Sequence, residues 1–235
     1  ADPCNIPKQP ISNLIGMKTL PDEPVVYIAD SKRQNKMQQH STRDYLLENY
    51  GDIEVILSSS NTYSHGRYTS TLEEYITTSV DTSSQYANES FYLFGNNYNS
   101  IFKELSTLYQ IPPCYYCDIA GAKTIGIGGY ASGVSFHYHG SGFSEAILGT
   151  KRWFLYPPSV TKLINLFNPN MTVSNWVDII YPIIKSQDSD IINLYECTIQ
   201  PGEILYFPTL WMHATLNTDN YNVFMSVFLD TQLMQ

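Results

Sequence analysis

Residues Ser135 to Pro158 read SFHYHGSGFSEAILGTKRWFLYPP, and this stretch says most about the architecture of the chain. Residues i and i+2 of a β-strand face the same side, so His137 and His139 are expected to project together, with Phe136 and Tyr138 on the opposite face. The alternation and the glycine-containing breaks predict three short strands in succession, at 134–139, 145–148 and 152–156.

Similar patterns continue on both sides of this stretch. Downstream, short strands are predicted at 195–199, 204–207, 213–217 and 222–229, after a helical insert whose helices are expected at 159–167 and 173–181. Upstream, strands are predicted at 25–29, 53–58, 91–94 and 124–128, alternating with helices at 41–50, 70–79 and 98–109. Ser41 is the expected N-cap of the first helix, and Ser70-Thr71-Leu72-Glu73 is interpreted as a capping box for the second.

These elements predict one domain over residues 1–235, mainly β with α. A βα-decorated N-terminal part, 1–120, leads into an antiparallel barrel-like core over 121–235, which carries the helical insert at 159–185. The glycine-rich run at 126–129 is not followed by a helix, so it is read as relief of crowding in a bent barrel strand and not as a nucleotide loop.

Composition excludes several classes of protein. Hydrophobic residues make up 43% of the chain and charged residues 15%, which indicates a globular protein. A net charge of -9 and the absence of a basic run argue against a nucleic-acid partner, because phosphate binding needs clustered Lys and Arg. No apolar run is long enough to span a bilayer.

The four cysteines, Cys4, Cys114, Cys117 and Cys197, fit disulfides formed in an oxidising compartment, with three connectivities open. The C-x-x-C spacing of Cys114 and Cys117 resembles a redox motif. It follows a Pro-Pro pair instead of a strand, however, which favours a structural loop staple over a reactive thiol.

Two N-x-S/T sequons, at Asn88 and Asn170, are candidate glycosylation sites. The opening Ala1-Asp2-Pro3 is interpreted as a remnant of a secretion vector, and it is set aside from the fold reasoning. Together with the cysteines, these features predict a glycoprotein of the secretory pathway. The lumen of the endoplasmic reticulum in particular is an expectation that rests on the family resemblance described below. No Lys-Asp-Glu-Leu type ending is present at 231–235, so retention there would need another cause, or a natural C-terminus that extends beyond this sequence.

Three of the five histidines are candidate metal ligands. His40 lies in a polar stretch and His65 beside a glycine, and both are interpreted as ordinary histidines. His213 opens a late strand after a proline turn, and in a closed barrel a late strand can return beside an early one. His213 can therefore converge with the H-x-H pair. Parity alone leaves ordinary hydrogen-bonded histidines as an equal alternative, and the lysine downstream favours a divalent metal site.

The order of motifs resembles that of the JmjC domain family. The shared elements are H-x-H at 137–139, GTKRWFLYPP at 149–158, PGEILYFP at 201–208 and WMH at 211–213. The resemblance implies a double-stranded β-helix, with His137 as the first metal ligand and His213 as the last. It also implies that Lys151 binds the distant carboxylate of 2-oxoglutarate, where the buried cation would need an anion.

Two positions depart from the pattern of the family. At His139 the family usually has Asp or Glu, so the expected Fe(II) triad of two histidines and a carboxylate becomes three imidazoles. These can still hold Fe(II), Zn(II), Ni(II) or Cu(II), but they favour later metals. Glu145 is the other carboxylate considered, and the motif register does not place a ligand there. Val134 stands where many members have a hydroxyl residue that contacts the cosubstrate.

Three functions follow from this pattern. The first is a binding or regulatory protein on a JmjC scaffold with weak or no turnover, which the histidine at 139 favours. The second is an Fe(II)- and 2-oxoglutarate-dependent oxygenase that hydroxylates protein side chains, and the third is a cupin-like isomerase or sugar binder. A protein partner or substrate is expected in the first two. Because the chain ends soon after the last predicted strand, without the helical tail through which some JmjC oxygenases dimerise, a monomer is expected.

Overall fold

The structure is a computed structural model that describes residues 3–59, 67–82, 91–95, 100–118, 121–160, 171–186 and 193–229. Its strands are β1 Lys8–Pro10, β2 Val25–Ile28, β3 Glu54–Ser59, β4 Arg67–Thr71, β5 Phe91–Phe94, β6 Gly121–Gly128, β7 Gly133–His137, β8 Gly142–Leu148, β9 Lys151–Tyr156, β10 Tyr195–Ile199, β11 Glu203–Phe207, β12 Met212–Asn217 and β13 Asn222–Leu229. Its α-helices are α1 Asn35–His40, α2 Arg43–Tyr50, α3 Leu72–Glu74, α4 Ser100–Leu108, α5 Val173–Ile179 and α6 Tyr181–Ser186.

Two sheets form the barrel. The larger has the order β1-β2-β11-β8-β13-β6-β5-β3-β4, and the smaller has the order β10-β9-β12-β7. Successive strands from β6 onward mostly alternate between the two sheets, and their pairings in the core are antiparallel. This arrangement confirms the predicted double-stranded β-helix, to which the N-terminal strands add at both edges of the larger sheet.

The strand β9 shows how the alternation builds two cores. Trp153 and Leu155 face the barrel interior and pack with residues of β10 and β11. Phe154 and Tyr156 face the other side of the sheet, where they pack with Trp176 of the helical insert. A third core lies between the N-terminal helices and the larger sheet. Lys151 has the same parity as Trp153, so the register of β9 carries it to the barrel interior.

Two helix starts differ from the prediction by one residue. The helix expected over 41–50 is α2, and its N-cap is Thr42, whose side chain accepts from the amide of Tyr45. A further helix, α1, precedes it and was not predicted. Ser41 instead ends α1, where its hydroxyl donates to the Met37 carbonyl. The N-cap expected at Ser70 is instead Thr71, the last residue of β4, whose side chain accepts from the amide of Glu74. Serine and threonine both cap well, so local pattern alone does not distinguish neighbours.

The helix α3 continues directly into a π-helical segment, Tyr75–Val80, so the predicted helix over 70–79 is present in altered form. The second helix of the insert is found at α5 and is followed by α6, whereas the helix predicted at 159–167 lies mostly outside the described residues. His65 and both sequons, Asn88 and Asn170, also lie outside them. In the described part of the chain, no helix has the length and apolar character needed to cross a membrane.

The cysteines form two disulfides, Cys4–Cys197 and Cys114–Cys117. The first ties the N-terminal segment to β10, beside a backbone hydrogen bond from Asn5 to Glu196. The second closes a short loop and is buried, which agrees with a structural staple. Of the three connectivities left open by the sequence, the fold selects this one because it places Cys4 against β10.

Candidate metal centre

The barrel brings the three predicted histidines together. His137 ends β7 and lies directly across from His213 of β12 in the antiparallel register. His139 lies just past the end of β7, so the strand is shorter than predicted, yet its ring still turns toward the other two. One ligand-capable atom from each histidine lies within 4.8 Å of the others. A single ion can therefore reach all three after small side-chain adjustments.

Backbone carbonyls hold all three rings in one tautomer. The Nδ1 atoms of His137, His139 and His213 lie 2.8, 2.7 and 2.8 Å from the carbonyl oxygens of Ser135, Gly140 and Trp211, respectively. A carbonyl only accepts, so each Nδ1 carries the hydrogen, and each Nε2 keeps its lone pair for a metal. A hydrogen bond from the second ring nitrogen to a carbonyl is the usual way in which the orientation of a metal-ligating histidine is fixed.

Burial keeps the imidazoles neutral. Desolvation lowers the pKa of His137 to about 4, partly offset by its hydrogen bond to Ser135. Burial and then the neighbouring His137 and His139 place the pKa of His213 well below its ordinary value, and desolvation also lowers the pKa of His139. A metal binds the neutral form, so near pH 7 the cluster needs to lose no proton before it binds an ion.

Aromatic rings surround the cluster. Phe207 and Phe228 lie 5.4 and 5.0 Å from His139 between ring centroids, and Trp153 lies 5.7 Å from His213. Among the described residues, no carboxylate lines this cavity. The donor set is therefore three neutral imidazoles in an apolar wall, and a divalent ion held there would keep its full charge.

Glu145 is engaged elsewhere, as the motif register predicted. Its carboxylate accepts hydrogen bonds from Nη1 of Arg33 at 2.9 Å, from Nε2 of Gln34 at 3.0 Å and from the hydroxyl of Tyr109 at 2.9 Å. Burial raises the pKa of this carboxyl, and Arg33 is the largest influence in the opposite direction. The cluster joins the N-terminal segments to β8 and supplies no ligand to the histidines.

Lys151 lies in the same cavity as the histidines but has only neutral partners. Its Nζ lies 3.1 Å from the hydroxyl of Tyr92 and 3.2 Å from Oδ1 of Asn217, and 3.8 Å from the centroid of the Phe224 ring. The residue is 2% exposed, and no acid pairs with it in the described residues. Desolvation holds the pKa of this amine well below 10.5.

The space between lysine and histidines is small. The cavity measures about 30 Å³, which is room for a few water molecules. Its aromatic lining residues are Tyr92, Phe94, Trp153, Phe207, Phe224 and Phe228. A dicarboxylate the size of 2-oxoglutarate does not fit unless these rings move, and Val134 adds no hydroxyl to bind it. The donor set fits a divalent metal, whereas the lysine side of the cavity does not fit the cosubstrate of the family.

The sequence did not predict that aromatic side chains fill the cavity, although a glycine opposite one of these rings was an indication. Phe224 lies across from Gly126 in the ladder of β13 and β6. A Cβ at Gly126 would lie 1.9 Å from the Phe224 ring, so only glycine leaves room for it. The glycine-rich run therefore does relieve crowding, as predicted, and the crowding group is the ring that covers Lys151.

Fold and site together define a JmjC-type cupin, and the comparisons with known proteins agree. The family model of the cupin-like domain matches residues 19–234, so the chain belongs to this family. It is similar to JmjC domain-containing protein 8 of mouse, with 41% identity over 197 residues, which cover 83% of this chain and 70% of the mouse protein. The human protein of the same name is 42% identical over 190 residues, covering 80% and 69%.

A more distant relative carries the name of an enzyme. Lysine-specific demethylase JMJ21 of Arabidopsis thaliana is 26% identical over 201 residues, which cover 76% of this chain but only 20% of the plant protein. The similarity is thus confined to one part of that enzyme.

Proposed function

We propose that this protein is a metal-binding JmjC-fold protein of the secretory lumen that acts through binding or regulation, with weak or no oxygenase turnover. The observation that carries the proposal is a cluster of three rings, each anchored through Nδ1 by a carbonyl, whose ligand-capable atoms lie within 4.8 Å of one another. Rings fixed in this way lose little freedom when an ion binds.

The donor set supports a metal role separate from 2-oxoglutarate chemistry. His137, His139 and His213 would hold the ion, and it would supply a Lewis-acidic centre. Three imidazoles without a carboxylate favour Zn(II), Ni(II) or Cu(II) relative to Fe(II). The chain contributes the neutral ligands, their orientation and an apolar wall that limits the access of water.

The lysine side of the cavity supports the absence of turnover. The Lys151 amine is already hydrogen-bonded to Tyr92 and Asn217, and the Phe224 ring covers it. A cosubstrate carboxylate would have to displace these partners and enter a cavity of about 30 Å³.

An Fe(II)/2-oxoglutarate-dependent protein hydroxylase is the second candidate function. The observation that favours it is Lys151 itself, a deeply buried amine without an acidic partner in the described residues, at the position where the family binds 2-oxoglutarate. This function requires the Phe224 ring to swing away and iron to bind without a carboxylate ligand.

The cysteine pairing supports the proposed location in the secretory lumen. All four cysteines are engaged in disulfides, which persist in oxidising compartments and are rare in the cytosol. Glycans at Asn88 and Asn170 belong to the same proposal. The test is glycosidase treatment of protein secreted by eukaryotic cells. We expect the mass of the wild type to decrease and that of Asn88→Gln/Asn170→Gln to stay the same. The absence of a glycan at both sites would count against the proposal.

Metal analysis and calorimetry test the proposed function. Protein stripped with chelator is titrated anaerobically with Zn(II), Ni(II) and Fe(II), and then with 2-oxoglutarate in the presence of Mn(II). We expect one divalent ion per chain and no heat from 2-oxoglutarate. In a separate assay with Fe(II), 2-oxoglutarate and O₂, we expect no succinate release. Metal-dependent succinate release would establish the hydroxylase instead, and a chain that takes up no metal would refute both functions.

A further inference from the structure

Lys151 places an amine inside the cavity that holds the three histidines. Its side chain lines this cavity and is 2% exposed. The Nζ atom donates to the hydroxyl of Tyr92 at 3.1 Å and to Oδ1 of Asn217 at 3.2 Å. A neutral amine has two hydrogens and one lone pair, so these two contacts engage the hydrogens and leave the lone pair available.

The surroundings of this amine favour its neutral form. The centroid of the Phe224 ring lies 3.8 Å from Nζ, and no carboxylate of the described chain lines the cavity. Burial without a charged partner penalises the ammonium form, which holds the pKa of Lys151 well below its ordinary value. A buried, unprotonated lysine is a nucleophile, whereas an exposed lysine at pH 7 is an ammonium ion without a lone pair.

The cavity lining also holds a hydrogen-bond donor without an acceptor. Trp153 follows Lys151 by two residues in β9, so both side chains face the barrel interior, and both line the cavity. The indole Nε1 of Trp153 is buried and has no hydrogen-bond partner within the part of the chain that the structure describes. A buried N–H left in this way costs free energy. Tyr92 is a second donor, because burial raises the pKa of its hydroxyl well above the ordinary value and keeps the proton in place.

The charge and the size of the cavity favour a small anion beside Lys151. A divalent ion held by His137, His139 and His213 would keep its full charge, because all three ligands are neutral. A negative group in the same apolar space would offset that charge strongly, since few polar atoms screen the interaction there. The volume of about 30 Å³ admits only a group comparable in size with a few water molecules.

We propose that Lys151 reacts reversibly with carbon dioxide and becomes a lysine carbamate. The lone pair of Nζ attacks the carbon of CO₂ and forms an N–C bond, while one C–O π pair moves onto oxygen. One proton leaves Nζ for solvent water, so the product carries one negative charge and the step needs neither an oxidant nor a reductant. The carbamate oxygens accept from the indole N–H of Trp153 and from the hydroxyl of Tyr92.

The carbamate is a modification of the chain itself and goes beyond the proposed function. It forms without a metal, because its nucleophile and its hydrogen-bond donors all belong to the protein. A divalent ion at the histidines would stabilise it further, and the carbamate would then supply the negative charge that the JmjC family usually draws from the carboxylate replaced by His139.

Carbon-13 NMR of the full chain, with labelled bicarbonate as the source of CO₂, tests the modification. The decisive variant is Lys151→Met, and its matched control is Lys123→Met, which removes an exposed lysine of β6 that donates to the Ser106 carbonyl. Each protein is treated with chelator and measured with and without added Zn(II). The α-amine of the chain is also partly unprotonated near pH 7, so its carbamate is the background common to all samples.

We expect a carbamate resonance in the wild type and in Lys123→Met that is absent from Lys151→Met. Trp153→Phe keeps an aromatic ring but removes the N–H, and it should weaken CO₂ uptake by about fivefold or more. Trp176→Phe is the control for this change, because Trp176 is equally buried but lies in the helical insert, outside the cavity, and CO₂ uptake should stay the same.

A wild-type spectrum that matches that of Lys151→Met, both with and without Zn(II), would overturn the carbamate. Undiminished uptake in Trp153→Phe would overturn the role of the indole N–H as its donor. We expect Zn(II) to strengthen CO₂ uptake, and the metal content is measured on the same samples. A carbamate resonance in protein that takes up no Zn(II) would refute the proposed metal function and leave this inference standing.

Discussion

The two ends of the interior cavity differ in whether their polar groups are free to bind a ligand. The histidine end consists of His137, His139 and His213, and the lysine end consists of Lys151 with Tyr92, Asn217 and Phe224. Carbonyls anchor every ring at the histidine end and leave the lone pairs open. At the lysine end the partners of Nζ are already side chains of the protein.

The difference shows that one cavity can retain metal ligands while its cosubstrate position is filled. Both ends depend on the same strands, since β9 supplies Lys151 and pairs with β12, which carries His213. The strand pairing that positions His213 therefore also positions Lys151, and this does not depend on which side chains fill the space beside the lysine. Four substitutions examine the two ends separately.

The largest expected effect is at the histidine end, in His137→Ala. Removing one of three neutral ligands should lower metal affinity by at least about a thousandfold, or ~4 kcal/mol. Calorimetric titration of chelator-treated protein with Zn(II) measures it. His40→Ala is the control, because His40 pairs with Glu104 outside the cluster. Unchanged affinity in His137→Ala would mean that the three rings do not share an ion.

Phe224→Ala tests whether the aromatic ring closes the lysine end. Deleting this buried ring should cost about 3 kcal/mol in the free energy of unfolding and enlarge the cavity beside Lys151. We expect 2-oxoglutarate to raise the Tm of this variant but not that of the wild type. Phe154→Ala removes a similarly buried ring of the smaller sheet, on the face that packs against the helical insert, and is the matched control. A 2-oxoglutarate shift in the wild type would contradict the contrast between the two ends.

Lys151→Met tests the energetic cost of the buried amine. The unfolded chain binds a proton on this lysine at pH values where the folded protein does not, so the stability of the wild type rises with pH between the lowered pKa and 10.5. Methionine has no such proton and should be about 1–2 kcal/mol more stable at pH 7. Urea unfolding at pH 7 and pH 9.5 should show this gap narrowing, and a variant less stable than the wild type at both values would refute it.

The smallest expected effect is in Val134→Thr. It restores a hydroxyl group at a half-buried position of β7 and keeps a β-branched residue in the strand. Stability should change by less than about 1 kcal/mol, and affinity for 2-oxoglutarate should not increase, because the space remains filled. A gain in 2-oxoglutarate binding would show that the missing hydroxyl, and not the aromatic ring, closes the site.

Local periodicity was sufficient for the strands of the barrel and for the direction of several side chains. The i, i+2 relation placed His137 beside His139, and the motif order of the family placed His213 with them and Lys151 in the same cavity. These features depend on neighbours in the chain or on a shared pattern of strands. The errors were small, such as Thr42 capping in place of Ser41, where adjacent residues have nearly equal capping ability.

Tertiary structure alone decided what surrounds those residues. The register between strands far apart in sequence brings Tyr92 and Asn217 within hydrogen-bonding distance of Lys151. The same register places the Phe224 ring over Gly126. The pairing of Cys4 with Cys197 also requires segments from opposite ends of the chain to meet. A sequence pattern specifies which face a side chain takes, but volume and contact between distant segments determine whether a cavity is open or closed.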